Sequence, residues 1–243
     1  MNMLEEIKSV KLIDLHWWGI DLSITKSALI IFLACGLVFV FFFLLSKRVK
    51  LIPSPLQSMV ESMIDFIRSE MLQPLGEEGE FWLPFLITLF AFIFTCNLLG
   101  IIPGLSPPTS NINVTATMAL MIFLITHVAG IRRHGFFPYF KSMLPPGLPL
   151  AVSIFLFPVE LVSQIARPFS LAVRLFANMF AGHAIIIMLV SLIFIFNSYL
   201  AVPFSVAGNV AIAGFEIFVG LIQAFIFTYL SAFYIKEALV SEH

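Results

Sequence analysis

Three polar side chains, Arg174, Asn178 and His183, interrupt a stretch that is otherwise as apolar as a membrane-spanning helix. The guanidinium of an arginine keeps its proton in proteins, and it costs about 2.5 to 3.5 kcal/mol at the centre of a bilayer on insertion scales. An imidazole, by contrast, gains and loses a proton close to neutral pH. A fixed cation near a titratable group indicates a pathway for ions or protons inside a membrane.

A lone arginine in an apolar run often lies near a helix end, where its side chain extends to the lipid headgroups. That explanation is less favoured for Arg174, because the apolar run continues well beyond it on the C-terminal side. Glu160, Arg167 and Arg174 are also spaced by seven, so they return to nearly the same face of a helix. Gln164 and Asn178 fill the same stripe, which gives this helix one polar side.

Glu216 and Gln223 are likewise seven residues apart and share a face of the last apolar segment. A short connection near residues 197–202 predicts that the two segments form antiparallel helices. In such a pair, two residues at equal depth have residue numbers that add up to a constant. The sum for Arg174 and Gln223 nearly equals the sum for His183 and Glu216, so each of these two pairs is predicted to lie at one depth. An acid and an imidazole at one level can pass protons, because burial and their mutual interaction move both pKa values towards working pH.

The polar layers, one formed by Arg174 and Gln223 and the other by His183 and Glu216, have two possible explanations from the residues alone. In the first, protons travel from the outer face to the His183 and Glu216 pair, and Arg174 blocks direct passage, so that the proton moves onto a carboxylate of another subunit. In the second, the same groups form a structural ion-pair network that fixes the packing of the helices. Ionisable residues inside a membrane favour the functional explanation.

The overall composition excludes a soluble domain, since 60% of the 243 residues are hydrophobic, against roughly 45 to 50% in soluble proteins. The formal net charge of −1 leaves no surplus of cations for binding nucleic acid. Cys35 and Cys96 lie in apolar runs without metal-ligand spacing, so both are expected to be small core residues, and no metal or other cofactor is expected. The acidic start of the chain lacks the pattern of a cleaved signal peptide and is expected to be retained.

The hydropathy pattern predicts an all-α polytopic membrane protein with five membrane-crossing helices and one surface amphipathic helix. The last two helices are expected to be long, tilted and antiparallel, and residues 1–243 are expected to form a single membrane domain. The predicted elements are an outer N-terminal segment (1–26), a first span (27–46), the surface helix (54–75), a hairpin of spans (81–103 and 114–130) and two long helices (147–196 and 203–237).

The apolar run of 147–196 has two possible folds. At about 1.5 Å per residue a helix of this length measures about 75 Å, more than twice the hydrocarbon core of roughly 30 Å. Either two spans meet at a tight turn, or one long helix lies tilted and kinked near Pro158 and Pro168. Residues typical of a turn are nearly absent between Gln164 and Asn178, which favours the single tilted helix.

Charge near the spans predicts the orientation of the chain. Cytoplasmic ends of spans are enriched in Lys and Arg, which places the N-terminus outside and the C-terminus inside. Asn113 and Thr115, at the start of the third span, would then line a wet opening on the outer face. The surface helix has few lysines on its polar face, so packing against the protein is favoured over binding anionic lipid. The acidic connector of Glu77, Glu78 and Glu80 is expected to be a solvated turn.

Four stretches of the chain resemble one known family. These are Arg-Leu-Phe-Ala-Asn-Met-Phe-Ala-Gly around Arg174, Gly220-Leu-Ile-Gln-Ala-Phe-Ile-Phe-Thr-Tyr around Gln223, Asn111-Ile-Asn-Val-Thr-Ala-Thr-Met-Ala-Leu, and the closing Ser-Glu-His. All four are similar to subunit a of the F-type ATP synthases. The resemblance covers most of the chain after the first fifty or so residues, and the arginine motif is highly specific.

The resemblance implies a role for each polar residue of the last two helices. Arg174 would be the essential arginine that faces the rotor ring, Asn178 and Gln223 would flank it, and His183, Glu216 and Glu160 would line aqueous half-channels. Asn113, Thr115, Gln164 and Arg167 are secondary candidates for the channel lining. Many bacterial members carry Glu in place of His183 and His in place of Glu216, an exchange that keeps one acid and one imidazole at the same level.

The resemblance also implies partners and a location. The partners would be a rotor ring of c subunits, peripheral-stalk b subunits, the remainder of the ATP synthase and membrane lipid, and the chain would be a non-catalytic proton-translocating subunit. The location would be a bacterial inner membrane rather than a mitochondrial one, and the acid and imidazole layer favours protons over Na⁺. A self-contained secondary transporter and a membrane scaffold remain alternatives, although the absence of a sequence repeat counts against an inverted-repeat transporter.

Overall fold

The computed structural model describes residues 11–13, 16–17, 20–21, 24–47, 49–72, 79–102, 105, 107–142, 149–196 and 201–239. Its helices are α1 (Lys26–Ser46), α2 (Pro55–Ile67), α3 (Gly79–Ile101), α4 (Ile112–His134), α5 (Phe136–Ser142), α6 (Leu150–Phe196) and α7 (Ala201–Leu239). Within these residues, five helices are long and apolar enough to cross a membrane. The predicted class, a multi-pass helical membrane protein with a separate amphipathic helix, is confirmed.

Four short strands precede the first helix and were not predicted. Strand β1 (Lys11–Ile13) pairs antiparallel with β4 (Ile24–Thr25), and β2 (His16–Trp17) pairs with β3 (Ile20–Asp21). Residues 1–26 were predicted only as an outer N-terminal segment. Strands of two or three residues are too short to produce an alternating pattern that a sequence could reveal.

The start of α1 and the start of α2 each have a side-chain cap. Thr25 Oγ1 accepts a hydrogen bond from the backbone N–H of Ala28 at 3.3 Å, and Ser54 Oγ accepts one from Gln57 N–H at 3.4 Å. Pro55 occupies the first position of α2, where its missing N–H and fixed φ cost nothing. These caps explain why the two helices begin where they do.

The amphipathic helix α2 continues into a π-helical turn, Arg68–Leu72, and its apolar side packs inward. Met71 and Leu72 are buried, and the ring of Phe66 lies 5.4 Å from that of Phe225 on α7. Arg68 Nε binds Glu80 Oε1 at 2.9 Å, which links this turn to the start of α3. Glu80 lies in the first turn of α3, and its side chain is 59% exposed despite the ion pair. Glu77 and Glu78 lie outside the described residues, so the predicted solvated turn stays a prediction.

Helix α6 is unbroken over 47 residues, with Pro158 and Pro168 inside it. At about 1.5 Å per residue it measures about 70 Å, more than twice the hydrocarbon thickness. The expectation of one long helix, as opposed to two spans with a turn, is confirmed. Of the connection predicted near 197–202, residues 197–200 lie outside the described residues.

The chain divides into two compact units, each assembled from separate stretches of sequence. The first comprises Met1–Ile52, Phe90–Asn111 and Leu175–Ala224, and the second comprises Pro53–Leu89, Ile112–Arg174 and Phe225–His243. Helices α3, α6 and α7 contribute residues to both.

A cluster of buried apolar side chains joins α1 and α3 in the first unit. It consists of Ile30, Ala34, Cys96 and Leu99, with Phe92 and Leu105 packed against it. Cys96 is a core residue, as expected. Cys35 is exposed, so the expectation that it is also a core residue was wrong.

The antiparallel arrangement of α6 and α7 is visible in the first unit. In the first unit, Asn178 bonds to Gln223 and the carbonyl of Leu189 accepts a hydrogen bond from Ser205 Oγ at 2.5 Å. The residue number thus rises along α6 while it falls along α7. In the second unit, the guanidinium of Arg167 lies 5.5 Å from the ring of Tyr234 and forms an ion pair with Glu237. The predicted opposite direction of the two long helices is confirmed.

Candidate functional site

Arg174 lies near the middle of α6, about 24 residues from its start, and its side chain is exposed. The packed side of the helix is next to it, since Leu171 is 1% exposed and Ala172 is 4% exposed. Packing of this apolar side therefore directs the guanidinium outwards. Among the residues that the structure describes, no carboxylate forms an ion pair with Arg174. Its charge is available to a group from outside this chain.

Arg167, two helical turns before Arg174, has the opposite surroundings. One guanidinium nitrogen forms an ion pair with Glu237 of α7, and another lies 3.8 Å from Glu160 Oε1. Gln164 Nε2 donates to the same Glu160 oxygen at 3.3 Å, and the ring of Tyr234 covers the guanidinium. The charge of Arg167 is thus neutralised inside the second unit by two carboxylates and a ring face.

A small cavity of about 20 Å³ adjoins Arg167, and its accessible lining is mostly apolar. Thr126, His127 and Gln164 are the uncharged polar residues that contribute to this lining. Thr126 is only 6% exposed, and its hydroxyl has no hydrogen-bond partner among the described residues. A cavity of this size has room for about one water molecule.

Asn178 and Gln223 meet in the first unit. Asn178 Nδ2 donates to Gln223 Oε1 at 2.8 Å, and Gln223 is 2% exposed. The Nε2 group of Gln223 has no hydrogen-bond partner among the described residues. A buried amide donor without a partner is costly, so this group is set to bind water or an incoming polar group. The prediction that Asn178 and Gln223 belong to one site has this contact in its favour.

A second amide holds α7 in place one turn before Gln223. Asn97 of α3 donates through Nδ2 to the carbonyl of Gly220 at 3.1 Å, and its Oδ1 accepts from Thr109 Oγ1 at 2.9 Å. Both side chains are buried. Gly220 permits this approach, because a Cβ there would lie 3.2 Å from Asn97 Cβ. Sequence analysis missed Asn97, although an amide inside an apolar span is itself a signal.

Glu216 packs directly against the backbone of Gly182. The carboxyl side chain is 6% exposed, and a Cβ at Gly182 would meet Glu216 Oε1 and approach its Cγ to 2.8 Å. Glu216 Oε2 has no hydrogen-bond partner among the described residues. His183, the next residue of α6, is partly buried. The acid therefore reaches the turn of α6 that carries the imidazole, and it does so because residue 182 has no side chain.

Asn113 and Thr115 lie at the start of α4, away from the cavity at Arg167. Asn113 is exposed, whereas Thr115 is fully buried and its hydroxyl donates to the carbonyl of Ile112 at 3.2 Å. Thr126 follows Thr115 by about three helical turns. The structure therefore does not bring these two residues together with Glu160, Gln164 and Arg167.

Two further residues were missed by the sequence analysis, Gly182 and Glu237. A glycine inside a helix costs about 1 kcal/mol relative to alanine, so Gly182 in the middle of α6 was a detectable signal of a close approach. Glu237 gave no such signal, because an acid near the end of a helix usually faces solvent. Among the described residues, no three His, Cys, Asp or Glu side chains lie close enough together to bind a metal ion.

Proteins of similar sequence match the chain over nearly its whole length. The ATP synthase subunit a of Rhodospirillum rubrum is 38% identical, with 97% of both chains covered. The subunit a of Magnetococcus marinus is 40% identical over 98% of this chain and 93% of its own. That of Rubrobacter xylanophilus is 37% identical over 100% of this chain and 94% of its own.

The family model described as ATP synthase A chain matches residues 28–236, which include α2 to α6 and nearly all of α1 and α7. Every residue of the predicted polar layers falls inside this range. The chain therefore belongs to the ATP synthase A chain family.

Proposed function

We propose that this chain is the stator subunit of an F-type ATP synthase membrane sector and passes protons to and from the carboxylates of a rotor ring. The observation that carries the proposal is the exposed guanidinium of Arg174, in the middle of a 47-residue apolar helix and without a carboxylate partner among the described residues. A permanent charge in such surroundings is expensive. A carboxylate supplied by another subunit would offset this cost.

The outer half-channel leads to His183 and Glu216. An imidazole and a carboxyl group can each bind and release a proton, and the buried Glu216 has one carboxylate oxygen without a hydrogen-bond partner among the described residues. Protons enter this half-channel from outside and neutralise a rotor carboxylate. Asn113 and Thr115 are proposed to belong to its outer opening.

The inner half-channel runs past Glu160, Gln164 and Arg167. The small cavity at Arg167 has room for about one water molecule, and the unpaired hydroxyl of Thr126 in its lining supports a hydrated path there. Because Glu160 and Glu237 already neutralise Arg167, this arginine does not compete for the rotor carboxylate. After a nearly full turn of the ring, the proton leaves inwards through this half-channel.

Arg174 separates the two half-channels and prevents a direct leak. It attracts an ionised rotor carboxylate and favours release of the proton, while Asn178 and Gln223 supply neutral polar groups beside it. The interface must remain polar and hydrated, because a tight bidentate pair would trap the carboxylate. Each elementary charge that crosses 100 mV contributes about 2.3 kcal/mol, which drives rotation and the synthesis of ATP.

The proposed partners are the c-subunit ring, the b subunits of the peripheral stalk and the rest of the ATP synthase. The proposed location is a bacterial inner membrane, with the N-terminus outside and the C-terminus in the cytoplasm. The cations Arg132, Arg133 and Lys141, which follow the third span, support this orientation. The coupled ion is proposed to be the proton.

The test is ATP synthesis by energised membrane vesicles that carry Arg174→Ala. We expect synthesis to be abolished while the complex still assembles, because Arg174 makes no ion pair within the described part of its own chain. Arg68→Ala is the matched control, since Arg68 lies outside the five candidate membrane spans and already has Asp65 and Glu80 as partners. Normal synthesis by Arg174→Ala, in a complex of normal composition, would refute the proposal.

A further inference from the structure

A groove of about 890 Å³ lies in the second unit, between the first turns of α3 and the second half of α4. Phe81, Trp82 and Phe85 form one wall, and Leu124 and Val128 form the other. Arg132 and Arg133 lie at one end of the groove. None of these residues belongs to the proposed proton path, so the groove needs a separate explanation.

The two walls are open to the surroundings and not to the protein core. Leu124 is 54% exposed, Val128 is 48% exposed and Phe81 is 81% exposed. The ring of Trp82 lies 5.5 Å from that of Phe81 and 6.1 Å from that of Phe85, in edge-to-face contacts that make a continuous aromatic wall. The groove therefore presents apolar surface along its length to whatever lies beside it.

The distance between the arginines and the apolar walls indicates which kind of molecule fits the groove. Leu124, Val128 and Arg132 are spaced by four and lie along one face of α4. At about 1.5 Å per residue, Arg132 is about 12 Å from Leu124 along the helix axis. One leaflet of a bilayer is about 15 Å deep, half of the roughly 30 Å hydrocarbon core. The charged end and the apolar walls thus match the headgroup and the acyl chain of one lipid.

The dimensions and charge of the groove agree with this occupant. Its volume falls within the range of about 300 to 1,000 Å³ that is typical of sites for small molecules. Two adjacent exposed guanidinium groups favour a phosphate, and basic pockets between membrane helices bind anionic headgroups. The indole of Trp82 is amphipathic and suits the level of the headgroups.

We propose that the groove between α3 and α4 binds one anionic phospholipid, with its phosphate on Arg132 and Arg133 and an acyl chain between Phe85 and Val128. A zwitterionic lipid has no net charge to complement two arginines and binds more weakly. A helix of another subunit would place its own backbone and side chains along the aromatic wall and would need an acidic group at the level of Arg132. An anionic phospholipid complements both the charged end and the apolar walls of the groove.

The test uses membranes that contain the full chain and two photoactivatable lipids. Phosphatidylglycerol and phosphatidylcholine each carry a diazirine in the acyl chain, and labelled residues are identified by mass spectrometry after proteolysis. We expect phosphatidylglycerol to label residues 81–85 and 124–129, and phosphatidylcholine to label them several-fold less. The readout is a covalent adduct on the chain, so it does not depend on whether the chain conducts protons.

Two variants and a control separate the contributions of charge and shape. One arginine contributes about fivefold in affinity for an anionic surface, so Arg132→Gln with Arg133→Gln should reduce labelling at least fivefold. Val128→Trp fills the groove without altering its charge and should also remove the label. Lys141→Gln is the control, because it removes a cation exposed on α5 that is not part of the groove.

Two results would overturn the inference. Equal labelling by the two lipids, or labelling unchanged by the loss of both arginines, would mean that the groove does not select an anionic headgroup. A benzophenone side chain at position 124 that attaches to another protein, with no lipid label in the groove, would mean that a subunit covers it.

Discussion

Arg167 and Arg174 occupy the same face of the same helix, two turns apart, yet their surroundings differ completely. Arg167 interacts with Glu160, with Glu237 and with the ring of Tyr234. Arg174 is exposed and has no carboxylate partner among the described residues. Both carry a charge that apolar surroundings disfavour. The chain neutralises the first charge itself. Under the proposed function the second charge interacts with a partner subunit, so Arg167 has a structural role and Arg174 a functional one.

The largest expected effect of this contrast is a difference in stability between variants of the two arginines. Arg167→Ala leaves Glu160 and Glu237 without their cation, and a hydrogen bond to a charged group contributes about 1.5 to 3 kcal/mol. We therefore expect Arg167→Ala to lower the thermal midpoint of the purified complex, whereas Arg174→Ala leaves it unchanged. The measurement is thermal unfolding followed by light scattering. A larger loss of stability from Arg174→Ala would reverse the assignment of the two roles.

A smaller effect is expected from a pair of glycines in the first unit. Gly182→Ala introduces a Cβ against Glu216, and overpacking costs about 1 to 3 kcal/mol, of which the gain in helix propensity offsets about 1. The displaced carboxyl should slow proton conduction measured in proteoliposomes of the whole complex. Gly214→Ala, on the helix of Glu216 but with open space at its Cβ, is the control and should conduct normally. Equal conduction by both variants would exclude a role for this close contact.

The smallest effect concerns the ion pair of Arg68 and Glu80, which resembles that of Arg167 in geometry but not in exposure. Its side chains are 49% and 59% exposed, whereas those of Arg167 and Glu237 are 24% and 41% exposed. Exposed ion pairs typically contribute about 0.2 to 1 kcal/mol. Glu80→Gln should therefore change the thermal midpoint much less than Glu237→Gln does. A larger shift for Glu80→Gln would mean that exposure does not control the strength of these pairs.

Patterns that extend over many residues predicted the elements correctly. The five long helices follow from continuous apolar runs, and the scarcity of turn residues between Gln164 and Asn178 indicated that α6 continues. Short elements were missed, because β1 to β4 and the seven-residue α5 have no periodic pattern long enough to detect. The opposite direction of the two long helices was accessible from the short connection between them. The register was not fully predicted, because Gln223 bonds to Asn178, whereas the sums of residue numbers had matched it with Arg174.

The difference between the two arginines could not be read from the sequence. Glu160, Arg167 and Arg174 are equally spaced, so the pattern does not reveal which arginine is already neutralised. That depends on Glu237, seventy residues later, which reaches Arg167 only when α7 has folded back along α6. Asn97 was missed for the same reason, since its partners Thr109 and Gly220 lie on other segments. Contacts distant in sequence need the fold before they can be assigned.

The central claim is that Arg174, unlike Arg167, faces a carboxylate of another subunit. It is tested most directly by placing a benzophenone amino acid at position 174 or at position 167 and irradiating membranes that contain the assembled complex. We predict that the side chain at 174 forms adducts with a small ring-forming subunit, while the one at 167 attaches only to its own chain. Adducts with the ring at 167 and none at 174, in complexes of normal composition, would contradict the account.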